Sequence, residues 1–168
     1  MAMTALRGEP VMISGSLPDT GTDAPSFELV SKDLQDMRLS DFSGHRLLLN
    51  VFPSLDTPVC AMSVRRFNSE AAGLPGVKVL CISADLPFAH ARFCETEGIE
   101  GVINLSCFRS RDFGPDYGLE ILDGPLRGLL ARAVIIIDGA GKVVYTQLVP
   151  EISSEPDYED ALTFLRKI

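Results

Sequence analysis

The stretch that most constrains this chain is Leu47-Leu-Leu-Asn-Val-Phe-Pro53-Ser-Leu-Asp-Thr57-Pro58-Val-Cys60. A run of Leu, Val and Phe ended by a proline suits a fully buried strand. Thr57 followed by Pro58 is an N-cap followed by a residue suited to the first helical position. A strand must therefore turn almost directly into a helix, and the first turn of that helix carries Cys60. There the free backbone N–H groups and the positive end of the helix dipole favour thiolate over thiol. A structural reading competes. Cys60, Val64, Phe67 and Ala71 fall on one apolar helical face, where an inert buried cysteine is common. Position alone leaves both readings open.

The rest of the chain reads as an α/β pattern. Residues 3–14 form two short strands around Gly8-Glu9-Pro10, a hairpin expected to add to one edge of a larger sheet. Ser14 to Pro25 is loop. Phe27–Val30 and Met37–Leu39 are short strands around the polar Ser31–Asp36 segment. His45–Phe52 is the central strand, and the Cys60 helix runs to about Gly73. Val77–Ser83 is the next buried strand, followed by a helix over Asp85–Glu97 with Pro87 in its first turn and Gly98 at its stop. Val102–Ser106 is a strand and Asp112–Tyr117 a short helix or turn. Ala133–Asp138 and Lys142–Leu148 flank Gly139-Ala-Gly141 as a hairpin. A final helix opens with a capping-box pattern at Ser154-Glu-Pro-Asp157 and carries the stripe Tyr158, Ala161, Leu162, Leu165 and Ile168.

The helix between strands 45–52 and 77–83 requires those strands to be parallel. This order is that of a thioredoxin-like fold. It predicts one α/β domain over residues 1–168, with a central mixed sheet flanked by helices and an N-terminal hairpin over about 1–15. No internal repeat or low-complexity segment interrupts it. In open α/β sheets reactive groups gather beyond the carboxyl ends of the strands, which is where Pro53–Cys60 falls.

Composition narrows the function. The net charge of 15 − 23 = −8 opposes a general nucleic-acid or anionic-membrane surface. No run approaches the ~18 apolar residues of a membrane span. The first fifteen residues lack the pattern of a secretory leader, so the expected location is cytoplasmic. In that compartment, cysteines serve chemistry more than permanent cross-links. They stand at 60, 81, 94 and 107, with histidines only at 45 and 90. None forms a Cys-x-x-Cys pair, which opposes both a zinc site and a dithiol reductase. No metal, haem or other cofactor is expected.

The spacing Pro53-x-x-x-Thr57-x-x-Cys60 at a strand-to-helix junction resembles the peroxidatic site of peroxiredoxins. From Val11 to Ile168 the chain is similar to the bacterial thiol peroxidases, the atypical two-cysteine peroxiredoxin family. The similarity runs through Leu49-Asn-Val-Phe-Pro-Ser-Leu-Asp-Thr57, Val79-Leu-Cys-Ile-Ser-Ala-Asp-Leu-Pro-Phe88, Arg92-Phe-Cys94, Asp123-Gly-Pro-Leu126 and Ala131-Arg-Ala133. Two positions depart from the family pattern: Pro58 stands where glycine is common, and Cys107 where threonine is usual.

The resemblance implies roles residue by residue. Cys60 is the nucleophile that becomes a sulfenic acid, and Arg132 stabilises its thiolate and the developing oxyanion. Thr57 hydrogen-bonds the sulfur and orients the peroxide, and Pro53 shields the pocket. Cys94 is the resolving cysteine, closing an intrachain disulfide with Cys60. Lying on different helices, the two are expected to be too far apart to bridge without local unwinding. Cys81 is assigned to the core. Phe88 and Phe93 are expected as apolar lining, with at least one of them in the core. The implied activity is reduction of hydrogen peroxide and alkyl hydroperoxides, with thioredoxin as reductant, in a homodimer formed through the face near the site. A non-enzymatic redox sensor or thioredoxin-fold binding module is the rival reading.

Overall fold

The computed structural model describes residues 3–168, so residues 1 and 2 of the expected N-terminal hairpin lie outside the described residues. The elements follow in order as β1 (Met3–Leu6), β2 (Glu9–Met12), β3 (Glu28–Ser31), β4 (Asp36–Arg38) and β5 (Arg46–Val51). Then come α1 (Pro58–Glu70), β6 (Val77–Ser83), α2 (Pro87–Glu97), β7 (Val102–Ser106) and α3 (Phe113–Asp116). The hairpin strands β8 (Ala133–Ile137) and β9 (Val143–Leu148) lead to α4 (Tyr158–Lys167).

Seven strands make one sheet in the order β4-β3-β7-β6-β5-β8-β9. β5, β6 and β7 are parallel, as the helical crossovers between them require. β8 returns antiparallel beside β5, pairing Val51 with Ala133. The sheet is mixed and thioredoxin-like, as the sequence predicts.

Alternation along β5 divides the core in two. Leu47, Leu49 and Val51 face one cluster, which also holds Phe27, Phe42, Phe113 and Tyr117. Leu48 and Phe52 face the other, with Val64 and Phe67 of α1, Cys94 of α2 and Leu162 of α4. The three longer helices therefore share one sheet face, while α3 and loop segments cover the opposite one. A strand buried on both sides has no polar face to alternate with, which is why β5 reads as an apolar run from Leu47 to Val51 broken only by Asn50.

Three expectations change. The N-terminal hairpin does not extend the main sheet but forms a two-stranded sheet of its own. It docks through a parallel bridge from Ala5 to Glu151 and an antiparallel one from Ile13 to Ile121, and the Glu151 carboxylate accepts the Arg7 and Gly8 N–H groups. Leu39 leaves the strand predicted for it and opens a 3-10 turn over Leu39–Phe42 that inserts Phe42 into the core. Finally, α4 is capped by Asp157, whose side chain accepts the Asp160 N–H at 3.1 Å, rather than by Ser154. Pro156 disfavours helical backbone at the residue before it, so the helix starts after it. Ile168, the last residue of the predicted stripe, is exposed beyond the helix end.

Candidate active site

Cys60 is the third residue of α1, with Thr57 at the N-cap in extended conformation and Pro58 at the first helical position. Its side chain is 0% exposed. Arg132 immediately precedes β8, and the pairing of Val51 with Ala133 brings it to the carboxyl end of β5. There its Nη2 lies 3.2 Å from the Cys60 sulfur. Its Nε donates to the Ile152 carbonyl at 2.8 Å, which fixes the plane of the guanidinium. Arg132 is 2% exposed, and its Nη1 is buried without a hydrogen-bond partner among the described residues.

A buried guanidinium is costly unless it is compensated. The polar atom that the site supplies to Nη2 is the sulfur, which as thiolate would complete an ion pair. Nη1 remains as a donor for a second anionic or developing-anionic oxygen. A charge of this kind, placed before the reaction starts, is what an oxyanion requires.

The other predicted residues divide. Pro53 is buried directly after β5. Thr57 sits beside the sulfur in sequence but is exposed, and its hydroxyl donates to the Ser54 carbonyl at 3.0 Å rather than to the thiol. The tight turn from Ser54 to Thr57 puts that carbonyl within reach, and the hydroxyl takes the nearest acceptor. Thr57 accordingly caps α1 by backbone conformation and not by its side chain.

Cys94 lies late in α2, 4% exposed, and receives the Asn104 amide at 2.7 Å. Burial pushes its thiol up from the ordinary range, against a downward pull from Lys32 and from the Asn104 hydrogen bond. Cys81 faces the same layer from mid-strand, and burial pushes it up to about 12. All four cysteines are free thiols. Cys107, half-buried after β7, is pushed up to about 11, again by burial. Phe88 is 67% exposed, whereas Phe93 packs against the core.

Several polar residues join the site that sequence reasoning left out. Asn50 of β5 donates to Ser63 Oγ at 3.1 Å, and Ser63 in turn donates to the Cys60 carbonyl at 2.8 Å. Asn50, Cys81 and Asn104 are lateral neighbours across three strands. Two asparagines inside otherwise apolar buried strands were the available signal, since a buried amide needs a partner. A cavity of about 930 Å³ lies at the other end of β5, around His45, Phe113 and Asp138, and touches none of these residues.

The Redoxin family pattern matches residues 19–162. A thiol peroxidase from Corynebacterium glutamicum is 54% identical over 98% of this chain and 99% of its own length. One from Mycobacterium tuberculosis is 53% identical over the same shares. Among solved structures, a peroxiredoxin-like protein from Aquifex aeolicus superposes with a TM-score of 0.94 at 43% identity, covering 99% of this chain and 97% of the other. The chain belongs to the Redoxin family and, within it, to the thiol peroxidases.

Proposed function

We propose that this chain is a thiol-dependent peroxidase in which Cys60 attacks the peroxide and Cys94 resolves the product. The observation that carries the reading is the Arg132 guanidinium, buried 3.2 Å from the Cys60 sulfur with a second nitrogen unpartnered. The Cys60 thiolate attacks the terminal oxygen of hydrogen peroxide or an alkyl hydroperoxide. The O–O bond breaks, the sulfur is oxidised to sulfenic acid, and the leaving oxygen takes a proton as water or alcohol. Arg132 stabilises both the thiolate and the oxyanion that grows as the bond lengthens. Pro53 excludes water from the approach. Thr57 acts here through the backbone of the first helical turn.

Cys94 then attacks the Cys60 sulfur, expelling the hydroxyl as water and closing a disulfide within the chain. Closure requires α2 to loosen, because both thiols are enclosed in their own pockets. Thioredoxin reduces the disulfide in a reducing compartment such as the cytoplasm. Met62, Leu86, Phe88 and Phe108 are exposed apolar residues, three of them at the carboxyl end of the sheet, and they support a homodimer through that face. No residue is assigned to a metal or cofactor.

The test is stopped-flow mixing of reduced protein with hydrogen peroxide or an alkyl hydroperoxide, then with thioredoxin. The expected result is rapid loss of the Cys60 thiol followed by disulfide formation and its reduction. A stable oxidised Cys60 with no turnover would instead support the redox-sensor reading.

A further inference from the structure

Asp85 belongs to the loop between β6 and α2, and its carboxylate faces the loop that leads into Cys60. Oδ1 accepts the Ser54 hydroxyl at 2.7 Å. Oδ2 accepts the Leu55 N–H and the Ser83 hydroxyl, each at 2.7 Å. The Asp85 carbonyl accepts the Ser106 hydroxyl at 2.5 Å, tying in the end of β7. Having given its proton to the carboxylate, Ser83 Oγ is left to accept from His90 Nε2 at 3.0 Å. His90 is 0% exposed and lies in α2 one turn before Cys94. One carboxylate thus joins the turn that enters Cys60 to the helix that carries Cys94.

We propose that Asp85 is a positioning residue for the reaction. Closed, it holds the Cys60 turn in register with Arg132; released, it lets α2 bring Cys94 to the sulfenic acid. The proposal rests on the two-cysteine reading above. The two steps make opposite demands on the same joint. Attack on peroxide needs the sulfur fixed in a near-attack position beside the guanidinium. Disulfide closure, in which an S–S bond forms as the S–O bond breaks and water leaves, needs the two segments to part. Weakening the joint therefore slows the first step and speeds the second. A residue that only stabilised the fold would not divide the two steps in this way.

The experiment follows both phases after mixing reduced protein with hydrogen peroxide, in the unmodified chain, in Ser54→Ala and in Asp85→Asn. In Ser54→Ala the first phase should slow by about tenfold and the second quicken by a similar factor, the size of one hydrogen bond to a charged group. Asp85→Asn should shift both phases in the same directions. Amides of α2 should also exchange faster in reduced Ser54→Ala. If Asp85→Asn does not fold, Ser54→Ala carries the test, because it removes only a half-exposed hydroxyl, which donates to Asp85 and accepts the Asp56 N–H. Folded variants whose two rates stay unchanged, or fall together, overturn the role given to Asp85 while the Cys60–Cys94 disulfide still forms. Failure of the unmodified chain to form that disulfide overturns the two-cysteine reading itself, and the proposal with it.

Discussion

Cys60 and Cys94 are buried against the same sheet face, at opposite ends of their helices, and they are held by different partners. Cys60 meets a permanent cation, the Arg132 guanidinium at 3.2 Å. Cys94 meets a neutral amide, Asn104 at 2.7 Å. A hydrogen bond involving a charged group contributes about 1.5–3 kcal/mol, against about 0.5–1.5 for a neutral pair. On the proposed mechanism, the guanidinium stands beside the attacking sulfur and stabilises the oxyanion that leaves it. The amide donates to the Cys94 sulfur, a pull toward the thiolate that burial outweighs. Cys81 extends the series: it is fully buried, has only the Asn50 amide at 3.9 Å, and is pushed up to about 12. Burial alone does not make a cysteine reactive or inert. On the proposed reading, the charge of its partner decides.

Removing the sulfurs should separate the two pockets most strongly. Cys60→Ser is expected to abolish peroxide consumption. Cys94→Ser should keep the first oxidation within about twofold, because the resolving thiol takes no part in that transition state. It should lose thioredoxin-supported turnover, and mass spectrometry should find Cys60 as sulfenic acid advancing to sulfinic acid. Equal loss of the first oxidation in both variants would erase the distinction.

Changing the partners should give smaller effects. Arg132→Met keeps bulk but removes the cation, and Cys60 oxidation should slow by about 10²–10³-fold, or ~2.7–4 kcal/mol. Asn104→Leu should leave that rate within about twofold, since it touches only the waiting thiol. Stopped-flow rates on folded variants decide both, and an unaffected rate in Arg132→Met would make the arginine structural.

The smallest effect concerns acid. Burial lowers His90 in α2 from its usual 6.5 to about 4, with the Asp85 charge opposing in part. The folded value lies below the unfolded one, so the open form takes up the proton first. Stability is full above about 6.5 and is lost progressively as pH falls toward about 4. Between pH 7 and 4.5 this amounts to on the order of 2 kcal/mol. It should appear as weaker amide protection in α2, the Cys94 helix, than in α1. His90→Gln should remove most of the difference; an unchanged pH dependence in that variant would assign it to other groups.

What was legible in the chain followed the range of the interactions. The Thr57–Pro58–Cys60 junction depends on neighbours in sequence, and it stands where the pattern puts it. The meeting of Arg132 with Cys60 depends on strand register across 72 positions, and only the family resemblance pointed to it. On local grounds Arg132 reads as a surface charge before a strand; in the structure it is among the largest fully buried side chains. Thr57 failed at finer grain, because a hydroxyl rotor chooses between acceptors and the Ser54 carbonyl was in reach. Asp85 passed unnoticed because a loop aspartate before a helix looks like ordinary capping. Its three acceptor contacts come from residues 2 to 31 positions away.

The central claim is that the cation-held thiol attacks and the amide-held thiol closes the bond within the same chain. Peptide mapping after one equivalent of peroxide tests it most directly, paired with hydrogen exchange before and after oxidation. A Cys60–Cys94 disulfide in single chains and loss of protection across roughly residues 86–98 are the expected results. A Cys60 bond to Cys81, to Cys107 or to a second subunit would contradict it, as would a Cys60–Cys94 bond formed with protection unchanged in both helices.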